Sequence, residues 1–435
     1  MNRYERYKDS GIPWLGKVPE HWEVKRLRFT VNLNPVKSEL DIPEDTLVSF
    51  IPMEAVNFDK NLTLTEERNL DEVYKGYTYF KNGDVVLAKI TPCFENGKSA
   101  IAQNLTNGIA FGTTELHVLR SQDSINNHFL YYLIKSDSFM KIGESEMYGA
   151  GGQKRVPEEF IKNFLIGLPP YYEQTAIAHY LDTKLGEIDA LIGKQQTLLE
   201  KLAEQRTAVI THAVTKGLNP AAPMKNSGVE WLGDVPAHWE MKAIKRVVKE
   251  HAGNGFPIEL QGNNGDVPFL KVSDLNKGGK LLEDFANSVT RNIIYEMKWN
   301  IVPKFSLVTA KIGEALKKNH RKIISQDSII DNNCIAFECL GINLDYHYYL
   351  SLIIDFDWFE NGGTVPSLSV QKYKNQKICI PSLEEQTAIA DYLDQETAKI
   401  DRLCETVNQT IGRLKEYRTA LITQAVTGKI KVTDE

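Results

Sequence analysis

EQTAIAHYLDTKLGEIDALIGKQQTLLEKLAEQRTAVITHAVTKG (residues 173–217) and EQTAIADYLDQETAKIDRLCETVNQTIGRLKEYRTALITQAVTGK (residues 385–429) are two versions of one segment, set 212 residues apart. Both open on EQTAIA, carry LD and ID in their first turns, and close on RTA, IT and AVT. Neither contains proline, which would break a helix. Every seventh position forms a largely apolar ladder: Leu181, Ile188, Gln195, Leu202 and Val209 in the first, Leu393, Ile400, Val407, Leu414 and Leu421 in the second. Ile177, Leu191 and Leu198, and Ile389 and Leu403, flank these ladders and are expected to complete each seam. A heptad on a helix brings such side chains onto one stripe that must be buried against another helix. Forty-odd helical residues at 1.5 Å each span about 60 Å, longer than one small domain covers.

A second repeat fixes the order of the rest. GIPWLGKVPEHWEVKRLR (11–28) returns as GVEWLGDVPAHWEMKAIK (228–245), at an offset of 217. The chain therefore has two halves, each with a W-L-G-x-V-P-x-H-W-E corner, a variable middle and a long helix. Proline restricts the local backbone and tryptophan supplies a large area to bury, so the corner reads as a packing element that seats the middle. His21 and His238, each beside a tryptophan, read as structural histidines.

The middles, about 30–172 and 247–384, differ in kind from the helices. Short β-rich runs (LVSFIPM, GDVVLAKI and ELHVLR, then VPFLKVSDL, FSLVTAKIG and NNCIAFECL) alternate with turns punctuated by glycine and asparagine. Helical patterns follow at 128–142 and 346–359, so each middle is expected to be an α+β domain. Each then passes through a glycine-containing polar loop to a strand and proline, over 148–170 and 360–382; Gly151 aligns with Gly363 and Pro169 with Pro381. Glycines admit close backbone approach to a ligand, and Gln153, Lys154 and Arg155 suit phosphate and base-edge contact. The second loop carries no cation until Lys372 and Lys374. The repeated frame with divergent middles suggests two readers of different targets. A linker, KGLNPAAPMKNSG, joins the halves.

Composition narrows the class. At 435 residues, with 42% apolar content, two or more sizeable domains are expected. No apolar run is long enough to cross a bilayer and the polar N-terminus is unlike a signal peptide, so a soluble, cytoplasmic protein is expected. Cys93, Cys334, Cys339, Cys379 and Cys404 lack metal-site spacing, which favours reduced thiols. The net charge of −6 leans against a general nucleic-acid binder but leaves room for a local basic face. Catalytic motifs fail on inspection. Leu168-Pro169-Pro170-Tyr171 is close to an amino-methyltransferase signature but lacks its polar first residue. Asn96-Gly97-Lys98-Ser99 resembles the end of a phosphate-binding loop, but Pro92 stands where that loop needs glycine. Asp84 and Lys89 resemble a nuclease strand, but Leu87 replaces its second acid.

The twin corners, the twin P-P/S-x-x-E-Q-T-A-I-A-x-Y-L-D starts and the twin helices together resemble the specificity (S) subunit of type I restriction-modification systems, over the entire chain and in family order. The resemblance implies a first target recognition domain at 1–172, a spacer helix at 173–217, a linker and second recognition domain at 218–384, and a second spacer helix with tail at 385–435. It implies an antiparallel coiled coil placing the two α+β domains at opposite ends, and N- and C-terminal segments packed near each other in a circular pseudo-twofold arrangement. Each domain is implied to read one half of a split, asymmetric sequence in double-stranded DNA. Two methyltransferase (M) subunits and restriction (R) subunits are the implied partners, carrying S-adenosylmethionine, ATP and Mg, with no cofactor in this chain and no membrane. Base reading calls for polar and basic side chains on loops. That selects Lys89, Thr91, Asn96, Lys98, Gln153, Lys154 and Arg155 in the first domain, and Lys271, Ser273, Lys311, Lys317, Lys318, His320 and Arg321 in the second. The helix faces around 194–206 and 413–418 are where the M subunits are expected. Two other readings stay open: an autonomous DNA-modifying enzyme, and a coiled-coil scaffold without DNA reading, which the acidic net charge favours.

Overall fold

The computed structural model describes residues 3–57, 60–150 and 152–432. The repeated segments are helices of 46 and 44 residues, Tyr171–Lys216 and Leu383–Val426. Each starts directly after the proline-containing end of a strand. Glycines with positive φ follow their ends, Gly217 at +75° and Gly428 at +70°, the left-handed conformation in which helices commonly stop. The chain divides into two units, one made of 1–196 with 408–435 and the other of 197–407, so each unit contains part of both long helices.

The first turn of each helix ties its unit together. In the first unit the buried Gln174 amide donates to the carbonyls of Pro169 and Ser124 (both 2.9 Å) and accepts from the backbone N–H of Asn126 (2.8 Å). Asn126 caps the domain helix Asn127–Ile134. In the second unit the buried Gln386 donates to Pro381 O (2.9 Å) and accepts from Asn343 N–H (2.7 Å), and Asn343 caps the helix Leu344–Leu352. One side chain thus fixes the long helix, the preceding strand end and the cap of the domain helix. The preceding glutamates receive the corner histidines: His21 Nε2 lies 2.8 Å from Glu173 and His238 Nε2 2.9 Å from Glu385. The corners pack as expected, with Trp22 and Trp239 fully buried. Their strands Glu23–Arg26 and Glu240–Ala243 pair antiparallel with Leu165–Leu168 and Lys377–Ile380, the strands that lead into the long helices.

Each domain has a sheet with four corresponding strands. The first runs Val31–Leu33, Leu116–Ser121, Val85–Ala88, Ser99–Ile101. The second runs Val248–Ala252, Cys334–Cys339, Leu307–Ala310, Lys322–Ile324, Leu281–Leu282. The expected helix at 128–142 is two helices, Asn127–Ile134 and Asp137–Ser145, because Ser136 caps a new start. The one at 346–359 is Leu344–Leu352 followed by a 3-10 turn, Phe356–Phe359. The short helices Glu158–Asn163 and Val370–Asn375, which precede the last strand of each domain, are not legible in the sequence pattern. The five cysteines are free; Cys334 and Cys379 are buried and the others half-buried. Among the described residues no helix is long and apolar enough to cross a membrane.

Within the first unit, Ile177, Leu181, Leu185 and Ile188 share a core with Leu421, Ile422, Ala425 and Val426. Within the second, Ile210, Ala213 and Val214 share one with Ile389 and Leu393. Arg418 pairs with Asp189 (3.0 Å) in the first unit, and Arg206 with Asp401 in the second; the 212-residue repeat converts one pair into the other. The seam is narrower than the flanking leucines imply. Leu191, Leu198 and Leu403 are 46%, 40% and 52% exposed, because a strict heptad contact covers only a thin stripe of each helix.

Leu181→Ala and Leu393→Ala should each cost about 2–5 kcal/mol, and Leu191→Ala and Leu403→Ala no more than about 0.5 kcal/mol. Urea unfolding measures the difference; equal losses in both sets would contradict the assigned seam.

Candidate nucleic-acid interface

In both units the strand after which basic residues cluster runs into a crossing of two loops. In the first unit Val85–Ala88 leads to Lys89, whose carbonyl accepts from Val156 N–H (2.9 Å) while its own N–H donates to Glu115 O (2.9 Å). Ile90 bridges to Arg155. Thr91 then closes the crossing three times: its N–H donates to Lys154 O (3.0 Å), its hydroxyl to Gly152 O (2.6 Å), and Lys154 N–H donates back to that hydroxyl (3.1 Å). Tyr148 and Arg155 exchange both backbone hydrogen bonds (2.9 and 3.2 Å) across the loop base. Position 149 must be glycine, since a Cβ there would sit 2.3 Å from Gln153 O. Gly151, read from the sequence as part of this loop, lies outside the described residues.

The second unit repeats the clamp with other residues. Lys311 N–H donates to Asn333 O (2.7 Å), and its carbonyl accepts from Leu368 N–H (2.9 Å). Ile312 bridges to Ser367, and Gly313 N–H donates to Pro366 O (2.8 Å), as Thr91 does to Lys154. Glu360–Asn361 and Ser367–Leu368 close the loop as a small hairpin, with Val365 58% exposed near its tip.

The crossing thus assembles Lys89, Thr91, Gln153, Lys154 and Arg155, with roles that differ from one another. Gln153 and Lys154 are exposed. Lys89 is half-buried. Thr91 is a tie between the loops. Arg155 is held by Glu115 through two parallel hydrogen bonds (2.9 and 2.8 Å). That fork keeps the Glu115 carboxyl below the usual carboxylate range and raises Arg155, so the guanidinium holds the loop. Asn96 is exposed on the turn that follows Thr91, whereas Lys98 reaches back to Met53 O (3.0 Å). Beneath the crossing, His117 Nε2 meets Val156 O (2.9 Å), and burial lowers its pKa.

In the second unit Ser273, Lys317 and Lys318 are exposed and Lys311, Lys271 and His320 half-buried. Lys317 faces Glu314 (3.3 Å), Lys318 reaches Asn276 (3.4 Å) and Lys271 reaches Gln261 (3.1 Å). The assignment of Arg321 to a binding surface is corrected. Its side chain is 2% exposed, donates to Asn319 Oδ1 (3.0 Å) and Ile354 O (2.9 Å), and stacks 3.5 Å over the Phe356 ring. Burial pushes its pKa down to about 10. It stands directly before the strand Lys322–Ile324, whose residues are buried as well, which a run of basic letters does not reveal. The structure also brings in Tyr148, 68% exposed at the loop base; an aromatic directly before Gly149-Ala150 was the available signal.

Two further surfaces recur. In the second unit Thr207, Ala208 and Thr211 line an open groove of 730 Å³ on the first long helix. In the first unit Thr419, Ala420 and Thr423 line one of 560 Å³ on the second. These are the same repeat positions, 212 residues apart. Thr207, Thr419 and Thr423 donate their hydroxyls to the carbonyls four residues back (3.1, 3.2 and 3.1 Å), which leaves methyl groups to line the grooves.

The family model for the type I restriction modification DNA specificity domain matches residues 19–201 and 236–413. The EcoAI type I restriction enzyme specificity subunit of Escherichia coli is 43% identical over 194 residues, covering 44% of this chain and 32% of that protein. The EcoEI specificity subunit is 39% identical with the same coverage, so each match spans about a third of the relative. The MjaVIII specificity subunit of Methanocaldococcus jannaschii is 23% identical and is matched over 96% of this chain and 94% of its own. Among solved structures, a chain from work on assembly and conformational transition of the type I R-M system has a TM-score of 0.75 at 17% identity, covering 94% of this chain and 98% of its own. The HsdS subunit from Thermoanaerobacter tengcongensis has a TM-score of 0.56 at 18% identity, with the same coverage.

Proposed function

The chain belongs to the type I restriction-modification DNA specificity family, and we propose that it is the non-catalytic subunit that reads a bipartite, asymmetric DNA target through the loop crossings of its two units. The observation that carries this reading is the clamp itself. Its backbone bonds recur in both units, while the exposed residues in and beside it differ: Tyr148, Gln153 and Lys154 in one, Val365, Lys317 and Lys318 in the other. A fixed frame with exchanged contact residues is what two readers of different sequences require. Phosphate contacts from the lysines set affinity, and amide and aromatic groups at the crossing distinguish bases. The two long helices, each running through both units, set the spacing between the half-sites. Double-stranded DNA, two M subunits and R subunits are the partners. Methyl transfer with S-adenosylmethionine and ATP- and Mg-dependent cleavage belong to those subunits.

The Gln153→Ala/Lys154→Ala double variant should bind its target more weakly, flatten the dependence of log K on log salt by about 1, and lose discrimination in one half-site only. Binding to duplexes mismatched in either half reads this directly. Unchanged affinity and discrimination would remove the loop from the interface, and loss in both halves would contradict two independent readers.

The twin grooves support seating two copies of one partner, because matching residues offer matching methyl-lined surfaces. Ala208→Arg and Ala420→Arg should each reduce the bound M subunits from two to one, and the double variant should bind none. Native mass spectrometry of the complex counts them; two M subunits retained on the double variant would place the interface elsewhere.

A further inference from the structure

The two tryptophan corners are built alike but finished differently. In the first unit the Glu173 carboxylate, 2% exposed, receives three donors: the Tyr4 hydroxyl, Trp22 Nε1–H (3.2 Å) and the His21 ring (2.8 Å). Tyr4 closes the corner as a lid. Its ring stands edge-on to Trp22 and Tyr7 (centroids 6.0 and 6.1 Å) and tilted to His21 (5.7 Å).

In the second unit the strand pairing keeps the same register. Tyr7 faces Pro19 as Met224 faces Pro236, so Ala221 stands where the first unit has Tyr4. With no tyrosine there, the Glu385 side chain is 26% exposed and Met224 42% exposed. His238 holds Glu385 Oε2 (2.9 Å), while Oε1 accepts no hydrogen bond among the described residues. Trp239 is fully buried, and its Nε1–H has no partner among the described residues. A buried donor without an acceptor costs about 1–3 kcal/mol, and the first unit shows the arrangement that removes this cost.

We propose that the second corner is a binding subsite for a phenolic hydroxyl, the tyrosine side chain of a protein segment from outside this chain. The ring lies against the exposed His238, the hydroxyl donates to the partly exposed Glu385, and the carboxylate turns to accept from Trp239 Nε1–H, as Glu173 does from Trp22. Both aromatic area and a hydroxyl donor are needed. That pairing excludes a purely apolar occupant, which would bury Glu385 Oε1 without a partner. The claim is independent of DNA reading, since no residue of the corner belongs to the loop crossing.

The test uses the full chain with 15N-labelled tryptophan, whose indole N–H resonances report hydrogen bonding. Ala221→Tyr, a change at an exposed position, should move one indole resonance downfield and thereby identify Trp239. In the unsubstituted chain p-cresol should move that same resonance in the same direction, saturably, while toluene should not. The blocked tetrapeptide Arg-Tyr-Glu-Arg, the sequence of residues 3–6, should bind at least threefold tighter than p-cresol. Ala221→Tyr should abolish both responses. No resonance moved by Ala221→Tyr, an equal response to toluene, or a response surviving Ala221→Tyr would each overturn the subsite. Binding of p-cresol without a gain for the peptide would overturn its assignment to a protein segment.

Discussion

The structure depends on two polar side chains at the first turn of each long helix. Glu173 and Gln174, and Glu385 and Gln386, are buried or partly buried beside the corner tryptophans, where an unbonded polar group is costly. Their hydrogen bonds therefore specify geometry. The glutamine joins strand end, long helix and domain-helix cap, and the glutamate joins the long helix to the corner. Replacing either glutamine with an apolar residue would leave the cap N–H of Asn126 or Asn343 without its acceptor. The long helix is fixed to its domain because these contacts form within its first turn, before the heptad seam begins.

From that anchor the domains are free to differ. The loop crossings are held by backbone hydrogen bonds, which impose little on side-chain identity. Side chains add locks of their own in the first unit, through Thr91 and the Arg155–Glu115 fork, while Gly313 replaces Thr91 in the second. Division of labour between a constant backbone clamp and variable exposed groups lets two domains of unlike sequence share one frame.

Much of this was legible in the letters. The two repeats reveal both helices, both corners and the two-part organisation, because the buried seams and tryptophan corners keep largely the same residues in both halves. The width of the seam was not legible: a heptad states which residues share a stripe, not how far a partner covers it, so Leu191, Leu198 and Leu403 look like seam and are exposed. Charge was the poorest guide. Arg321 reads from its basic neighbours as a ligand contact, yet it is buried over Phe356, while Arg155 pairs with Glu115, 40 positions away in sequence. Such pairings are set by tertiary approach, which local sequence does not encode. The identical EQ dipeptides were visible, but their roles required knowing that Asn126 and Asn343 cap neighbouring helices.

The central claim is that paired helices measure the distance between two readers. It is tested by inserting seven residues at matching points, between Gln196 and Thr197 and between Asn408 and Gln409, which preserves the heptad register in both helices. Seven helical residues add about 10 Å, close to three base pairs of B-DNA. Methylome sequencing of cells carrying the assembled complex should show both half-site sequences unchanged and the spacer lengthened by about three base pairs. An active variant that retains the original spacer would contradict the account.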